Sequence, residues 1–290
     1  MRKFKGLCAE TSKTEKNKRF ARLKNLCLRF RDDEVPALGA QLAYYLVLSF
    51  FPFLIFLLTL SNYLPFDGKE ILAGLTKFLP AEAYNLTAGI IRHAAGARSG
   101  TLLSFGMAAT VWAASNGVLA LIRGINKAYD TRETRPFWKV RGISILFTIA
   151  LALSIILAFA MLVFGRMLGE FIFGIMGVSA IFAFAWNIFR YLITLALLML
   201  VFVSLYLTMP NRRLSIKQVM PGSVFSSLGW VIASMLFSYY VNSFRNYSIM
   251  YGSIGGIIIL LVWLYLSSVI ILLGGEINAS LALQSLHLSA

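Results

Sequence analysis

Five residues carry the chemistry of a path through an apolar medium: Gln41, Tyr44, Asn116, Arg190 and Glu276. Each stands within or at the edge of a long uncharged run, where an amide, phenol, guanidinium or carboxylate is costly to bury and often functional. Gln41, Tyr44, Tyr45 and Ser49 lie at offsets of 0, 3, 4 and 8, so a helix holds them on one face, expected to turn toward the bundle interior. Pro52 frees a carbonyl near Leu48 and predicts a kink there. Such a face serves a solute path or hydrogen bonds between helices equally well. Ser115 and Asn116 stand near the centre of a second run. Arg190 follows Trp186 and Asn187, where it can face a water-filled cavity, pair with an acid or snorkel to the outer interface. Glu276 follows Gly274 and Gly275, with Asn278 two residues on, and can titrate with transport or pair with Arg141 or Arg123.

Enzymatic constellations are absent from this pattern, so the expectation is a protein that is not an enzyme. His93 and His287 are the two histidines, one on each predicted side of the membrane, and share no metal site. No zinc, P-loop or dinucleotide spacing occurs, and neither cofactor nor metal is implied. Asp32, Asp33 and Glu34 form an acidic triplet. Three adjacent residues cannot all face one ion in a regular element, so a solvated boundary before Pro36 is expected. Cys8 and Cys27 read as free thiols rather than a disulfide framework.

The elements that must position these groups follow from the charges. Of 290 residues, 59% are hydrophobic and 13% charged, against about 45–50% and about 25% in soluble domains. That excludes a soluble globular protein. No Asp, Glu, Lys or Arg occurs in 35–66, 99–122, 142–165, 171–189, 191–211, 218–244 or 246–275, and a bilayer core needs about 20 apolar residues in a helix. Arg190 alone divides 171–189 from 191–211, with no polar turn, so the pair reads as one span, with Phe171 to Val178 a short external connection. The prediction is an all-α polytopic bundle of six transmembrane helices, at about 38–62, 101–123, 142–165, 181–208, 219–242 and 253–275. A basic segment 1–36 precedes the membrane domain 37–275, and a short tail 276–290 follows.

Charge asymmetry orients it. Twenty of the 27 Lys and Arg fall in the head, the 123–141 connection and the 208–219 turn, six fall on the alternate connections, and Arg190 lies within a span. By the positive-inside rule both termini are cytoplasmic. The same rule accounts for the net charge of +15 without nucleic acid, and the cationic clusters suit anionic lipid headgroups. Within the head, Phe20, Leu23, Leu26 or Cys27, and Phe30 recur at helical spacing among arginines and lysines, the pattern of an amphipathic helix in the cytoplasmic interface. Outside, Ile71 to Leu79 and Tyr84 to Ile91 suggest two short interfacial helices. The last span opens with Gly252, Gly255 and Gly256, and Gly252 and Gly256 have the spacing that lets helices touch. Gly274 is a further candidate packing position.

Four blocks, AQLAYYLVLSFFPF from Ala40, GTLLSFGMAATVWAAS from Gly100 closing in NKAYD at Asp130, RPFWKVR from Arg135, and YGSIGGIIILLVWLYLSSVIILLGGEINA from Tyr251, resemble in order the YihY/virulence factor BrkB family. The resemblance spans about 25–283 and implies a bacterial cytoplasmic-membrane protein of six spans. It brings with it an old ribonuclease BN label, which the lack of an acid or histidine cluster on the cytoplasmic side speaks against. Two functions stay in view: a transporter of lipid or small solute, and a non-transporting scaffold for envelope assembly. Six spans suffice for a monomer and also allow a homo-oligomer.

Overall fold

The computed structural model describes residues 15–61, 100–176, 180–243 and 254–287. These form seven helices: α1 (Glu15–Asp32), α2 (Val35–Ser61), α3 (Gly100–Ala128), α4 (Phe137–Met176), α5 (Ala180–Thr208), α6 (Ile216–Ser243) and α7 (Ile254–His287). The two predicted external helices and Gly252 lie outside the described residues, as does the side chain of Arg190.

Helix ends follow from local chemistry. Glu34 turns the chain between α1 and α2 with φ 55°, and Asp130 ends α3 with φ 51°, the left-handed conformation that commonly closes a helix. Pro136 precedes α4, where a missing N–H costs nothing. Ser215 and Gln218 open α6 as a capping pair, the Ser215 N–H donating to Gln218 Oε1 at 2.9 Å. α4 stays helical through Met176, which corrects the expected external connection from Phe171: Phe171 to Met176 are apolar residues with one glycine, and nothing in them stops a helix. α4 also begins at Phe137, so Arg141 lies one turn inside the helix rather than in the connection before it.

Among the described residues, five helices have stretches long and apolar enough to cross a membrane: Ser104–Ala128, Phe137–Ala158, Tyr191–Thr208, Ile216–Val241 and Gly255–Leu283. α2 adds a shorter apolar stretch, Val35–Phe50. In packing order α2 lies on α3, α3 on α4, α4 on α5, α5 on α6, α6 on α7, and α7 returns to α2. The six close a ring in sequence order, with α7 also touching α3 and α1 lying on α2 and α7. The polypolar bonds described below join the starts of α2, α4 and α6 to the ends of α3, α5 and α7, so these six helix ends gather at one end of the bundle, with α1 across it. That end is rich in cations, among them Arg29, Lys127, Arg135 and Arg212.

Burial concentrates there. Ile122, Ile125, Leu205, Tyr206, Met209, Val219 and Ala279 are all at most 1% exposed. Farther along α6, Ile232, Met235, Leu236 and Tyr239 are exposed, as are Leu153, Ile155 and Ile156 on α4. Lipid tails solvate such side chains as well as protein does, so their exposure in a bilayer carries no penalty.

Candidate functional site

At the basic end Arg29 is the hub. Its Nε donates to Glu276 Oε2 at 2.8 Å, its Nη2 donates to the carbonyl of Ala128, the last residue of α3, and Nη2 lies 3.7 Å from Asp33 Oδ2. One side chain therefore ties α1 to the α1–α2 turn, α3 and α7. Glu276 is 1% exposed and its ion pair is shielded, the setting in which loss of either partner is most costly. Burial pushes the Asp33 carboxyl above its ordinary range, against the pull of Arg29. Burial likewise raises the Tyr129 phenol, whose hydroxyl is enclosed without a hydrogen-bond partner among the described residues. Lys127 and Glu34 close the same corner at 2.5 Å.

Beside this hub, α6 and α7 touch through backbone. A Cβ on Gly222 would strike the Gly274 carbonyl and the Asn278 amide, and one on Gly274 would strike Ser226 Oγ and Tyr206. The Tyr206 hydroxyl donates to the Ile271 carbonyl at 2.6 Å and shares a 2.7 Å hydrogen bond with Ser226. Asn278 accepts the Gly222 N–H at 2.6 Å.

A third group stitches the α3–α4 connection to the α5–α6 turn. Asn126 donates to Glu133 at 2.8 Å and accepts the Asn211 N–H at 2.7 Å. Arg135 grips Glu133 through Nε and Nη2, at 2.8 and 2.6 Å. The same guanidinium donates to the Met209 carbonyl at 2.8 Å, where α5 has just ended, satisfying a helix-end acceptor. These bonds to Arg135 hold the Glu133 carboxylate below its usual range.

Above them the groove between α3 and α4 opens into a recess of about 590 Å³. Leu119, Ile122, Phe137 and Val140 make an apolar wall, and Arg123, Lys127 and Arg135 give it a cationic rim, with Glu133 beside them. Arg123 is exposed and, unlike Lys127 and Arg135, has no ion-pair partner among the described residues. Also between α3 and α4, Arg141 donates from Nη1 to Asn116 Oδ1 at 2.8 Å, and its guanidinium carbon lies 3.9 Å from the centre of the Trp112 ring.

Residues 26–288 match the family described as Virulence factor BrkB. The chain belongs to that family. YfkH of Bacillus subtilis (strain 168), whose name labels it ribonuclease-like, is 46% identical over 259 residues, covering 89% of this chain and 94% of its own. The UPF0761 membrane protein PSHAa0171 of Pseudoalteromonas translucida (strain TAC 125) is 25% identical over 278 residues, covering 91% and 85%. A UPF0761 membrane protein of Tolumonas auensis (strain DSM 9187 / NBRC 110442 / TA 4) is 25% identical over 281 residues, covering 92% and 90%. No solved structure matches. This BrkB-family chain is thus a multi-pass membrane protein whose relatives are bacterial membrane proteins.

The structure distributes the sequence-derived candidates over separate places. Asn116 meets Arg141. Glu276 meets Arg29, not Arg141 or Arg123, because α1 lies across the end of the bundle and delivers its own cation first. Gln41 is half-buried, and Tyr44 is 57% exposed, so the face from Gln41 to Ser49 does not turn inward as a unit. The buried side of α2 runs through Val35, Leu42, Ala43 and Ser49, and Leu42, Leu46 and the Cβ of Tyr45 pack around Gly117 of α3. Ser49 bonds its own helix, at Leu46. Pro52 lies within α2; Gly255 and Gly256 are buried. Asp33 is 6% exposed while Asp32 and Glu34 are exposed, so the solvated boundary expected for the acidic triplet fails at Asp33 alone. Sequence reasoning did not single out Arg29, Tyr206 or Gly222 and gave Asp33 only as part of the acidic triplet; the Ser226–Ser227 doublet, which faces Gly274 through Ser226, was the available signal for the α6–α7 contact.

Proposed function

We propose that this BrkB-family protein moves an anionic amphiphile or small anionic solute across the bacterial plasma membrane, by six spans with both termini cytoplasmic, and that it is not an enzyme. The observation that carries the reading is the α3–α4 recess. Its apolar wall suits an acyl chain or other apolar body, and unpaired Arg123 on its rim suits a negative headgroup. In this reading the basic end is the cytoplasmic side, held shut by Arg29, Glu276 and the Gly222–Gly274 contact, and anionic membrane lipids are the natural partners. The protein needs no nucleic acid for this role, and among the described residues no group of acids or histidines is placed to hold a metal ion. Glu276 is the candidate coupling acid, Arg190 a candidate anion contact in α5.

The pairing of Asn116 with Arg141 and of Glu276 with Arg29 favours a second reading, a closed scaffold for envelope assembly that transports nothing and can act as a homo-oligomer. Reconstitution separates the two. Liposomes with the purified protein are assayed for movement of fluorescent phosphatidylglycerol and phosphatidylcholine and for small-ion flux. The transport reading predicts movement of the anionic lipid or an anion above empty liposomes. Arg123→Ala slows it about fivefold, as expected where one basic residue contributes about 1 kcal/mol at an anionic headgroup. Glu276→Gln lowers the rate too. Absence of movement for every probe selects the scaffold.

A further inference from the structure

Arg141 is a cation that the membrane domain has not finished neutralising. It is 7% exposed. Its Nη1 donates to Asn116, yet Nε and Nη2 are both enclosed without a hydrogen-bond partner. Asn116 stands midway along the membrane-crossing stretch Ser104–Ala128 and Arg141 one turn inside Phe137–Ala158, so the guanidinium reaches inward from the end of its own helix to a polar group within the α3 span. No carboxylate pairs with Arg141 among the described residues. A buried arginine with unmet donors in an apolar span is costly, and the cost is relieved when an acceptor arrives.

The free pair of donors defines that acceptor. Nε and Nη2 form one edge of the planar guanidinium, the edge that meets two oxygens of a single carboxylate or phosphate in parallel. Asn116 occupies the other side of the group and fixes its plane. The exposed Trp112 ring covers its face, which orients the cation while leaving the edge unused. Val140, the preceding residue, lines the recess whose rim carries Arg123, so the contact between α3 and α4 has an exposed cation in the recess and, beside it, a buried one at Arg141.

We propose that the Nε–Nη2 edge of Arg141, positioned by Asn116 and Trp112, is an oxyanion-binding site within the membrane domain, for a phosphate group carried by a lipid or free in solution. The inference deepens the transport reading by naming what the groove would receive, but binding here stands on its own if no transport occurs.

The test reads binding. Full-length protein in a neutral detergent is titrated with inorganic phosphate, dihexanoyl phosphatidylglycerol and dihexanoyl phosphatidylcholine, following calorimetry and tryptophan emission. The site predicts saturable binding of an anionic probe and an emission change that Trp112→Phe abolishes while the ring stack and the affinity persist. Phosphatidylglycerol without phosphate identifies a lipid headgroup; competition between them identifies a site open to free oxyanions. Arg141→Gln weakens binding at least about tenfold, as loss of hydrogen bonds to a charged group does. Arg141→Lys keeps the charge in place and guards against a variant that fails to fold; lacking the fork, it binds more weakly than the native chain. Absence of saturable binding to the native protein overturns the proposal, and so does equal affinity in Arg141→Lys and native chains. Binding without liposome movement would retain the site and remove the transport reading.

Discussion

Two regions of the bundle are built on different principles. At the basic end helices meet through glycine, serine and shared hydrogen bonds, with Gly222 against Gly274 and Asn278 and Arg29 bridging α1, α3 and α7. Farther along α6 the surface is aliphatic and exposed, as at Met235 and Leu236. In a bilayer apolar burial gives helices little reason to associate, so close backbone approach and polar bonds must hold them. The difference teaches where this chain spends its specificity: the basic end is one interlocked arrangement, whereas farther along α6 meets α7 through two longer side-chain hydrogen bonds, Trp230 to Ser267 and Trp263 to Ser234.

Substitutions can sharpen or break that contrast. The largest effect is expected for Gly222→Ala, because the new methyl meets a carbonyl on α7 and one helix must move. Its loss of stability should reach or exceed the about 1–3 kcal/mol usual for overpacking. Gly229→Ala, two turns along the same helix, meets Ile270 at an ordinary 3.4 Å and should change the denaturation midpoint little. Equal losses would erase the distinction between the two regions.

Next comes Arg29→Ala, which strands Glu276. Removing one partner of a fully buried pair costs about 3–5 kcal/mol; the partial exposure of Arg29 should hold the loss to about 2–3 kcal/mol. Thermal denaturation in detergent measures it, and Leu236→Ala in the exposed stretch is the neutral counterpart.

A smaller effect concerns pH. Asp33 has a raised folded-state value, from burial first, with Asp130 raising it further and Arg29, Lys127 and the nearby Glu276 carboxyl opposing. A raised acid binds its proton more tightly when folded. Its stabilising contribution is therefore complete below the ordinary 3.8 and is lost as pH rises through the elevated folded value. Asp33→Asn should flatten that part of the stability profile and leave the neutral-pH midpoint equal to or above the native one. A midpoint well below it would mean that the ionised Asp33 holds Arg29 more strongly than burial opposes it. The smallest effect is Gly142→Ala, where a Cβ meets nothing within 4 Å; helix propensity predicts a gain of about 0.5–1 kcal/mol.

The sequence made the membrane class and the family legible through uncharged runs and ordered blocks, since those are one-dimensional signals. It also marked Glu276 and Asn116 as special. Their partners were not readable, because Arg29 lies 247 residues from Glu276 and Arg141 lies 25 from Asn116, and no periodicity reports contacts between elements. The inward face assigned to Gln41 and Tyr44 failed for a related reason: polarity identifies a face, but packing against α3 chose the aliphatic one.

The claim that the basic end is a closed gate has one direct test. Ser223 is fully buried there, and Ser223→Cys, with Cys8 and Cys27 changed to serine, places a thiol inside the seal. The account predicts no labelling by a membrane-impermeant thiol reagent from the basic side, and rapid labelling once Arg29→Ala is added to the folded protein. Labelling at the same rate with and without Arg29 would contradict it.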